Sequence, residues 1–377
     1  MPLLRTITVD LGERSYDVTV GMACLETIGP AAAAAAPDDS PTAVVVTDSN
    51  VRPLYADAVA GSLRQAGLRA EIIEFPAGEA SKDLRTYGQV MEALLALSPP
   101  IDRGSLIVAV GGGVVGDLAG FVAATALRGI DFINVPTTLL AAVDACLGGK
   151  TGLDASAGKN LIGAFHQPRA VVIDAAVLGT LPAGELGNGL AECVKHAAIA
   201  DADLLEFIED HAEALAGAET DRLAELIARN VAIKAEVVAS DEREAGRRAH
   251  LNFGHTIGHA IEAAAGYTAV SHGQAVSLGM AGALYLAAGR GLIEPDVADR
   301  VEAALRSLSL PVRFADLPDL PPPARDPKRL AEVMRHDKKA RAGRVRFVLP
   351  TSLGSVAVFD DVTDEQIAAA IGSLARS

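Results

Sequence analysis

Leu106–Phe121 reads LIVAVGGGVVGDLAGF. Its first five residues are apolar and rich in β-branched side chains, as in a short strand buried on both faces of a parallel sheet. Gly111, Gly112, Gly113 and Gly116 follow at once, and Asp117 opens a helical stretch through Leu118, Phe121 and Ala124. Strand, glycines and helix in that order let backbone N–H groups approach a phosphate with no Cβ in the way, at a helix N-terminus that favours negative charge. A plain glycine turn between strand and helix uses the same residues. A dinucleotide fingerprint expects an acidic ribose ligand roughly 20 residues downstream. Asp131 in that region lies inside the strand-like Asp131–Val135, so Thr47-Asp48-Ser49-Asn50, at the end of the strand Ala43–Val46, is the better candidate. Asp and Ser at such a place also serve as helix caps.

Outward from this stretch, strands are predicted at 43–47, 70–75, 105–110, 131–135 and 170–174, and helices near 53–67, 83–97 and 117–127. That alternation is the pattern of a mostly parallel sheet covered on both faces. Before it, Arg5–Val9 and Tyr16–Val20 form a hairpin around Gly12, and Ala31–Ala36 ends a helix stopped by Pro37. After Asp174 the β-branched runs cease. Residues 184–308 have helical periodicity, LPDLPPPARD at 317–326 is a loop, and a helix is predicted near 328–336. A strand pair, Arg344–Leu349 and Ser355–Phe359, then precedes a helix capped by Thr363-Asp364-Glu365-Gln366. The expected fold is an α/β N-terminal Rossmann-like domain at 1–182 and a mainly α-helical domain at 183–377, with the catalytic cleft between them.

The 377 residues suffice for two sizeable cores, and half of them are hydrophobic, which excludes a disordered chain. No apolar run reaches the ~18 residues of a membrane span, and no basic segment followed by an apolar core marks a secretory signal. Cys24, Cys146 and Cys193 are far apart, which fits a reducing compartment, so the cytoplasm is the expected location. A net charge of −15 argues against nucleic-acid binding. It leaves room for a small anionic substrate where lysines and arginines cluster.

Several residues carry chemistry. His255 and His259 sit four apart, on one face of a helix; His272 follows, and Glu192 precedes them. Imidazoles plus a carboxylate with one position left open form a catalytic zinc set. A zincin would need Glu after the first histidine, and Thr256 stands there. Lys150 and Lys159 are framed by glycines, in GGKTG and GKN. Lys195, Lys234, Arg248 and the pair Lys338-Lys339 add further cations, suited to an anion held close to the backbone. A P-loop is excluded because Asp144 occupies the place of its first glycine.

The segments GGGVVGDLAGF, RGIDFINVPTTLLAAVDACLGGKTGLDASAGKNLIGAFHQP, GLAECVKH, EAGRRAHLNFGHTIGHAIE and HGQAV, in this order, closely resemble the 3-dehydroquinate synthase family from about Asp48 to Leu349. The resemblance implies a lyase of the shikimate pathway, in aromatic amino acid biosynthesis. It converts 3-deoxy-D-arabino-heptulosonate 7-phosphate to 3-dehydroquinate and phosphate through transient oxidation, phosphate elimination, re-reduction and intramolecular aldol closure. It implies NAD and a divalent metal, zinc or alternatively cobalt, and a homodimer. Carried over by residue, it implies Glu192, His255 and His272 as metal ligands, with His259 either behind those ligands or in proton transfer, and not itself a ligand. Substrate would meet Asp144, Lys150, Asn160, Lys195, Lys234, Arg248, Asn252 and one of Lys338 and Lys339. Glu244 would be an acid near the pocket, and Arg128 would be donated across the dimer to the phosphate. NAD would meet Asp48, Asn50, Glu79, Lys82, Gly112, Gly113, Val114, Asp117, Thr137, Thr138, Lys159, Thr180 and Leu181. Gln274 departs from the family, which often has Glu after His-Gly.

The competing readings are a sister sugar-phosphate cyclase (aminodehydroquinate, 2-deoxy-scyllo-inosose or valiolone type), a metal-dependent polyol dehydrogenase, and a non-catalytic NAD-binding regulator. Arg248, Asn252 and Lys234 favour a substrate carboxylate. The full cationic set is more than a polyol dehydrogenase needs, and the metal set more than a regulator needs.

Overall fold

The computed structural model describes residues 4–36, 42–244, 246–336 and 345–376. Contacts divide the chain into two units: Met1–Leu181 with Leu223–Arg243, and Pro182–Arg222 with Glu244–Ser377. The segment 223–243 therefore packs with the N-terminal residues, although the change of sequence pattern comes at 182.

The first unit is built on a seven-stranded sheet. Its strands are β1 (Arg5–Val9), β2 (Tyr16–Gly21), β3 (Thr42–Asp48), β4 (Arg69–Phe75), β5 (Leu106–Gly111), β6 (Asp131–Pro136) and, after a separate hairpin, β9 (Ala170–Asp174). The spatial order is β1-β2-β9-β6-β5-β3-β4. β1 and β2 pair antiparallel and every other neighbouring pair is parallel.

Both faces are covered. Ala43, Val45, Leu106, Val108 and Val110 pack against α1 (Ile28–Ala35) and α2 (Asp57–Gln65). Val44, Val46, Ile107 and Ala109 face the other way, toward α3 (Leu84–Leu95) and α4 (Gly113–Thr125). Burial on both sides explains why β3 and β5 read as unbroken apolar runs. α4 starts at Gly113, a turn before the expected Asp117, because Gly112 already serves as its N-cap.

The hairpin β7 (Lys150–Ala155) and β8 (Gly158–Phe165) was not expected from the sequence. Its alternation is hidden by glycines. Gly152 and Gly163 face one another, and a Cβ on either would stand 2.3 Å from a carbonyl oxygen of the opposite strand. β7 lies on α4, where a Cβ on Gly120 would come within 2.5 Å of Thr151 Cγ2.

α8 (Thr220–Ser240) is tied to this unit by ion pairs. Glu225 meets Arg5, and Glu242, just past the helix, takes Arg14 in a forked pair and Gln167 Nε2 at 2.9 Å.

The second unit contains α5 (Ala183–Ala200), α6 (Ala202–Asp210), α7 (Ala212–Ala216), α9 (His255–Ala264), α10 (His272–Gly289), α11 (Pro295–Ser307), α12 (Pro327–His336) and α13 (Asp364–Ser373). It also has the strand pair β10 (Phe347–Ser352) and β11 (Ser355–Phe359). The expected strand start at Arg344 lies outside the described residues. Among the described residues no helix is long and apolar enough to cross a membrane.

One buried carboxylate closes the first unit's sheet. Asp174 ends β9 and accepts from the backbone N–H groups of Ala23, Cys24, Leu25 and Ala176 at 2.7–3.2 Å. Asp174→Ala leaves four N–H groups without this acceptor in a site 2% exposed. The expected loss is on the order of 3 kcal/mol, read as a lower midpoint in urea unfolding.

Candidate metal centre and dinucleotide site

In the second unit α9 and α10 pack with almost no space between them. A Cβ on Gly279 would stand 1.9 Å from Gly254 O, and one on Gly258 would stand 2.9 Å from Ala275 O. Gly254 itself takes φ +78 as the N-cap of α9, a conformation that disfavours a side chain. The result is that His255 and His272, each the first residue of its helix, meet with ring centroids 5.5 Å apart.

Glu192, in the middle of α5, completes the set. Its Oε1 is 3.6 Å from His255 Nε2 and 3.5 Å from His272 Nε2. Those distances are long for hydrogen bonds. Ligand bonds of about 2.0–2.1 Å in a tetrahedron place neighbouring ligand atoms roughly 3.3 Å apart, which these separations approach. Glu192 is fully buried, and its Oε1 accepts no hydrogen bond from any described residue. A buried carboxylate oxygen without a partner calls for a cation.

The other atoms of the three side chains are held. His255 Nδ1–H donates to Phe253 O at 3.1 Å, which leaves the Nε2 lone pair for a ligand bond. His272 Nδ1 faces Glu262 Oε1 at 3.4 Å. Glu192 Oε2 accepts from Lys195 Nζ, three residues on and 1% exposed. Burial alone would raise the Glu192 carboxyl, but Lys195 and the two imidazoles outweigh it and hold the group well below the usual range. Burial, helped by Lys195, pushes His255 well down, so it is neutral. Burial acts the same way on His272, yet Glu192 and Glu262 overcome it and raise the group to about 10.

His259 stands beside the set, its ring 5.1 Å from that of His255 and 6.3 Å from that of His272. A second grouping, His259, Glu262 and His272, also has ligand atoms within 4.8 Å of one another. Glu262 was not singled out in the sequence. Its signal was there, because His255, His259 and Glu262 follow i, i+4, i+7 spacing along one helix face.

Nearby in the same unit, Asn252 Nδ2 donates to Glu244 Oε1 at 3.2 Å and to Ala249 O at 3.1 Å. Glu244 has φ +59, and Arg248 is 3% exposed. Gln274 pairs with Ser271 in a capping box at the start of α10: its Oε1 accepts from Ser271 N–H at 3.1 Å. Gln fills that role as Glu does, which accounts for its departure from the family pattern.

In the first unit the chain order of the strands reverses between β3 and β5. Ligands of open α/β sheets bind outside the strand ends at such a point. Thr47 and Val110 are in register, so Asp48 and Gly111 emerge side by side, with Gly112, Gly113 and Val114 leading into α4. Asp48 Oδ1 accepts from Asn50 and Val51 N–H at 2.9 and 3.0 Å, so one oxygen shapes the turn. Thr137 N–H donates to Gly111 O, and Thr138 Oγ1 caps Ala141 N–H. Thr180 Oγ1 meets Tyr55 OH at 2.7 Å, and Leu181 N–H donates to Leu178 O.

Lys82 Nζ bridges Asp117 at 2.5 Å and Asn160 Oδ1 at 2.6 Å, while Lys159 meets Glu79 at 2.9 Å. Burial opposes the Lys82 charge, but Asp117, Glu79 and Asp154 raise the group above its ordinary value. Asp144 pairs with Lys234, 4% exposed, through both its carboxylate and its carbonyl. Lys150 is exposed at the start of β7. Arg128 is exposed and takes φ +72, directly after Leu127 at φ +50. Lys338 and Lys339 lie outside the described residues.

Two family models match the chain: 3-dehydroquinate synthase N-terminal over residues 72–188 and 3-dehydroquinate synthase C-terminal over 189–340. The chain is 45% identical over 361 residues to a 3-dehydroquinate synthase of Caulobacter vibrioides, covering 96% of each chain. It is 43% identical to one of Desulforamulus reducens, over 97% of this chain and 99% of that one. Among solved structures it is similar to the 2-epi-5-epi-valiolone synthase of Streptomyces hygroscopicus with NAD+ and Zn2+ bound. The TM-score there is 0.85 at 32% identity, covering 97% and 98% of the two chains. It is likewise similar to a 2-deoxy-scyllo-inosose synthase complexed with carbaglucose-6-phosphate, NAD+ and Co2+ (TM-score 0.85, 28% identity, 97% and 99% coverage). A probable glycerol dehydrogenase of Sinorhizobium meliloti, 19% identical with a TM-score of 0.61 over 94% of each chain, shares the fold.

The pairs Lys82–Asp117 and Lys159–Glu79 differ in burial, and stability should report it. Lys82 and Asp117 side chains are 7% and 21% exposed, and Lys159 and Glu79 are 35% and 49% exposed. Lys82→Met is expected to cost about 3 kcal/mol because it strands Asp117, and Lys159→Met less than about 1 kcal/mol. Urea unfolding of the two variants measures the difference.

Proposed function

We propose that this chain, which belongs to the 3-dehydroquinate synthase family, converts 3-deoxy-D-arabino-heptulosonate 7-phosphate into 3-dehydroquinate and inorganic phosphate. The observation that carries the reading is the unpartnered, fully buried Glu192 Oε1 facing the Nε2 atoms of His255 and His272. It occurs in a chain 43–45% identical to 3-dehydroquinate synthases over nearly its full length. Identity to the two sister cyclases is lower, at 32% and 28%, and this favours the dehydroquinate reaction over theirs.

In this reading Glu192, His255 and His272 hold zinc or cobalt. NAD lies at the ends of β3 and β5, against Asp48, Asn50, Gly112, Gly113 and Val114. Further contacts come from Glu79, Lys82, Asp117, Thr137, Thr138, Lys159, Thr180 and Leu181. When bound, the metal would supply Lewis acidity toward a substrate hydroxyl, and NAD would supply reversible hydride chemistry with no net consumption.

The chain's own residues do the rest. Lys195 balances the Glu192 charge and, in this reading, meets a substrate hydroxyl. Lys150 and Lys234 neutralise the departing phosphate and Asn160 hydrogen-bonds to substrate, with Asp144 holding the Lys234 ammonium in position. Arg248 and Asn252 bind the substrate carboxylate, with Glu244 orienting the Asn252 amide and one of Lys338 and Lys339 adding charge. His259 moves a proton next to the metal ligands, a task suited to imidazole near neutral pH. Glu262 fixes the His272 ring, as carboxylates do behind metal-bound histidines.

The same reading makes the protein a cytoplasmic homodimer of the shikimate pathway, feeding aromatic amino acid biosynthesis. Arg128 crosses from one protomer to the phosphate site of its partner.

The direct assay supplies the heptulosonate phosphate with zinc and a catalytic amount of NAD. Dehydroquinate and phosphate should appear in equal amounts with no accumulation of NADH. Steady NADH formation would point to a polyol dehydrogenase, and turnover of a different sugar phosphate to a sister cyclase. Lys150→Ala is expected to lower kcat/KM at least about 100-fold, equivalent to roughly 2.7 kcal/mol of transition-state stabilisation, without lowering the melting temperature. A normal rate in that variant removes Lys150 from the phosphate site.

A further inference from the structure

Asn188 lies on α5 four residues before Glu192, one turn away on the same face. It is 7% exposed. Its Oδ1 accepts from Gly273 N–H at 2.8 Å, and its Nδ2 donates to Glu185 Oε2 at 3.2 Å, nearly one turn earlier on α5. Gly273 follows His272 in the chain. The backbones approach so closely there that a Cβ on Gly273 would stand 2.5 Å from Asn188 Cα and 3.0 Å from Gly187 O. A side chain at 273 would force α10 away from α5.

Asn188 to Gly273 is thus a direct hydrogen bond between these helices. About 6 Å further along α5, Glu192 Oε1 faces His272 Nε2 at 3.5 Å with no hydrogen bond between them. Gly273 N–H belongs to the first turn of α10, where no intrahelical carbonyl is within reach. Ser271 Oγ serves the neighbouring N–H of Gln274. The acceptor for Gly273 comes from another helix, so it fixes where α10 begins relative to the helix that carries Glu192.

We infer that Asn188 is a positioning residue for the metal centre: by clamping Gly273 N–H it sets the separation between Glu192 and His272. The inference rests on the assignment of Glu192, His255 and His272 as ligands. Loss of the clamp leaves a buried N–H unpaired and lets the first turn of α10, with His272 at its start, relax toward another acceptor. Metal affinity is sensitive to such support, typically by ten- to a hundredfold.

The test is zinc affinity of the full chain, measured by competition with a chromophoric chelator, together with the visible absorption of the cobalt-loaded protein. Asn188→Ala is expected to weaken zinc binding about ten- to a hundredfold and to change the cobalt spectrum. Asn188→Ser keeps an oxygen acceptor beside the close backbone contact and should restore most of the affinity. Should Asn188→Ala fail to fold, Asn188→Gln carries the test, because it keeps the amide but displaces the acceptor by one methylene; weakened zinc binding is again expected. His272→Ala serves as the control. If it loses zinc while the Asn188 variant binds zinc as the unmodified chain does, the positioning role is overturned and the ligand set stands. If His272→Ala keeps full zinc affinity, the ligand set falls and the inference falls with it.

Discussion

A carboxylate with no exposed surface and one oxygen left unbonded is the constraint on which the second unit turns. Placing Glu192 in the middle of α5 carries a large desolvation cost. Lys195, one turn on, offsets part of it through the other oxygen. The remainder is met by arranging two helix starts around Oε1. The sequence of α9 and α10 serves that arrangement: small residues at Gly254, Gly258 and Gly279 bring the helices together, and a capping box at Ser271 and Gln274 fixes where α10 starts. The acidic surroundings that raise His272 are what a divalent cation would find favourable, so metal and proton compete for the same place.

The first unit solves a different problem with the same economy of side chains. Parallel strands buried on both faces leave their carboxyl ends as the place where backbone groups point outward. The reversal of strand order puts Asp48 beside the glycines that start α4. Lys82 then ties α4 to the hairpin β7–β8 through Asp117 and Asn160. Residues assigned to the dinucleotide and residues assigned to the sugar phosphate thus share one network of charges.

Much of this could be read from the residues alone. The strands of the seven-stranded sheet fall where the apolar runs are, within a residue or two, because double burial writes itself plainly into β3, β5 and β6. The hairpin β7–β8 escaped because Gly152 and Gly163 occupy its paired positions and erase the alternation that marks a strand. The placement of 223–243 with the first unit escaped for another reason: it depends on pairs such as Arg5 with Glu225 and Arg14 with Glu242, which join residues more than two hundred positions apart. Glu192, His255 and His272 were legible by type and by resemblance. Asn188 was not, since an Asn inside a helix has no signal until the helix opposite it is seen.

The roles proposed for the second unit all depend on one metal position. Anomalous scattering at the zinc edge, from crystals of the zinc-loaded protein, tests it most directly. One strong peak is expected about 2.0–2.2 Å from Glu192 Oε1, His255 Nε2 and His272 Nε2. A peak held instead by His259, Glu262 and His272, with Glu192 Oε1 still without a partner, would contradict it.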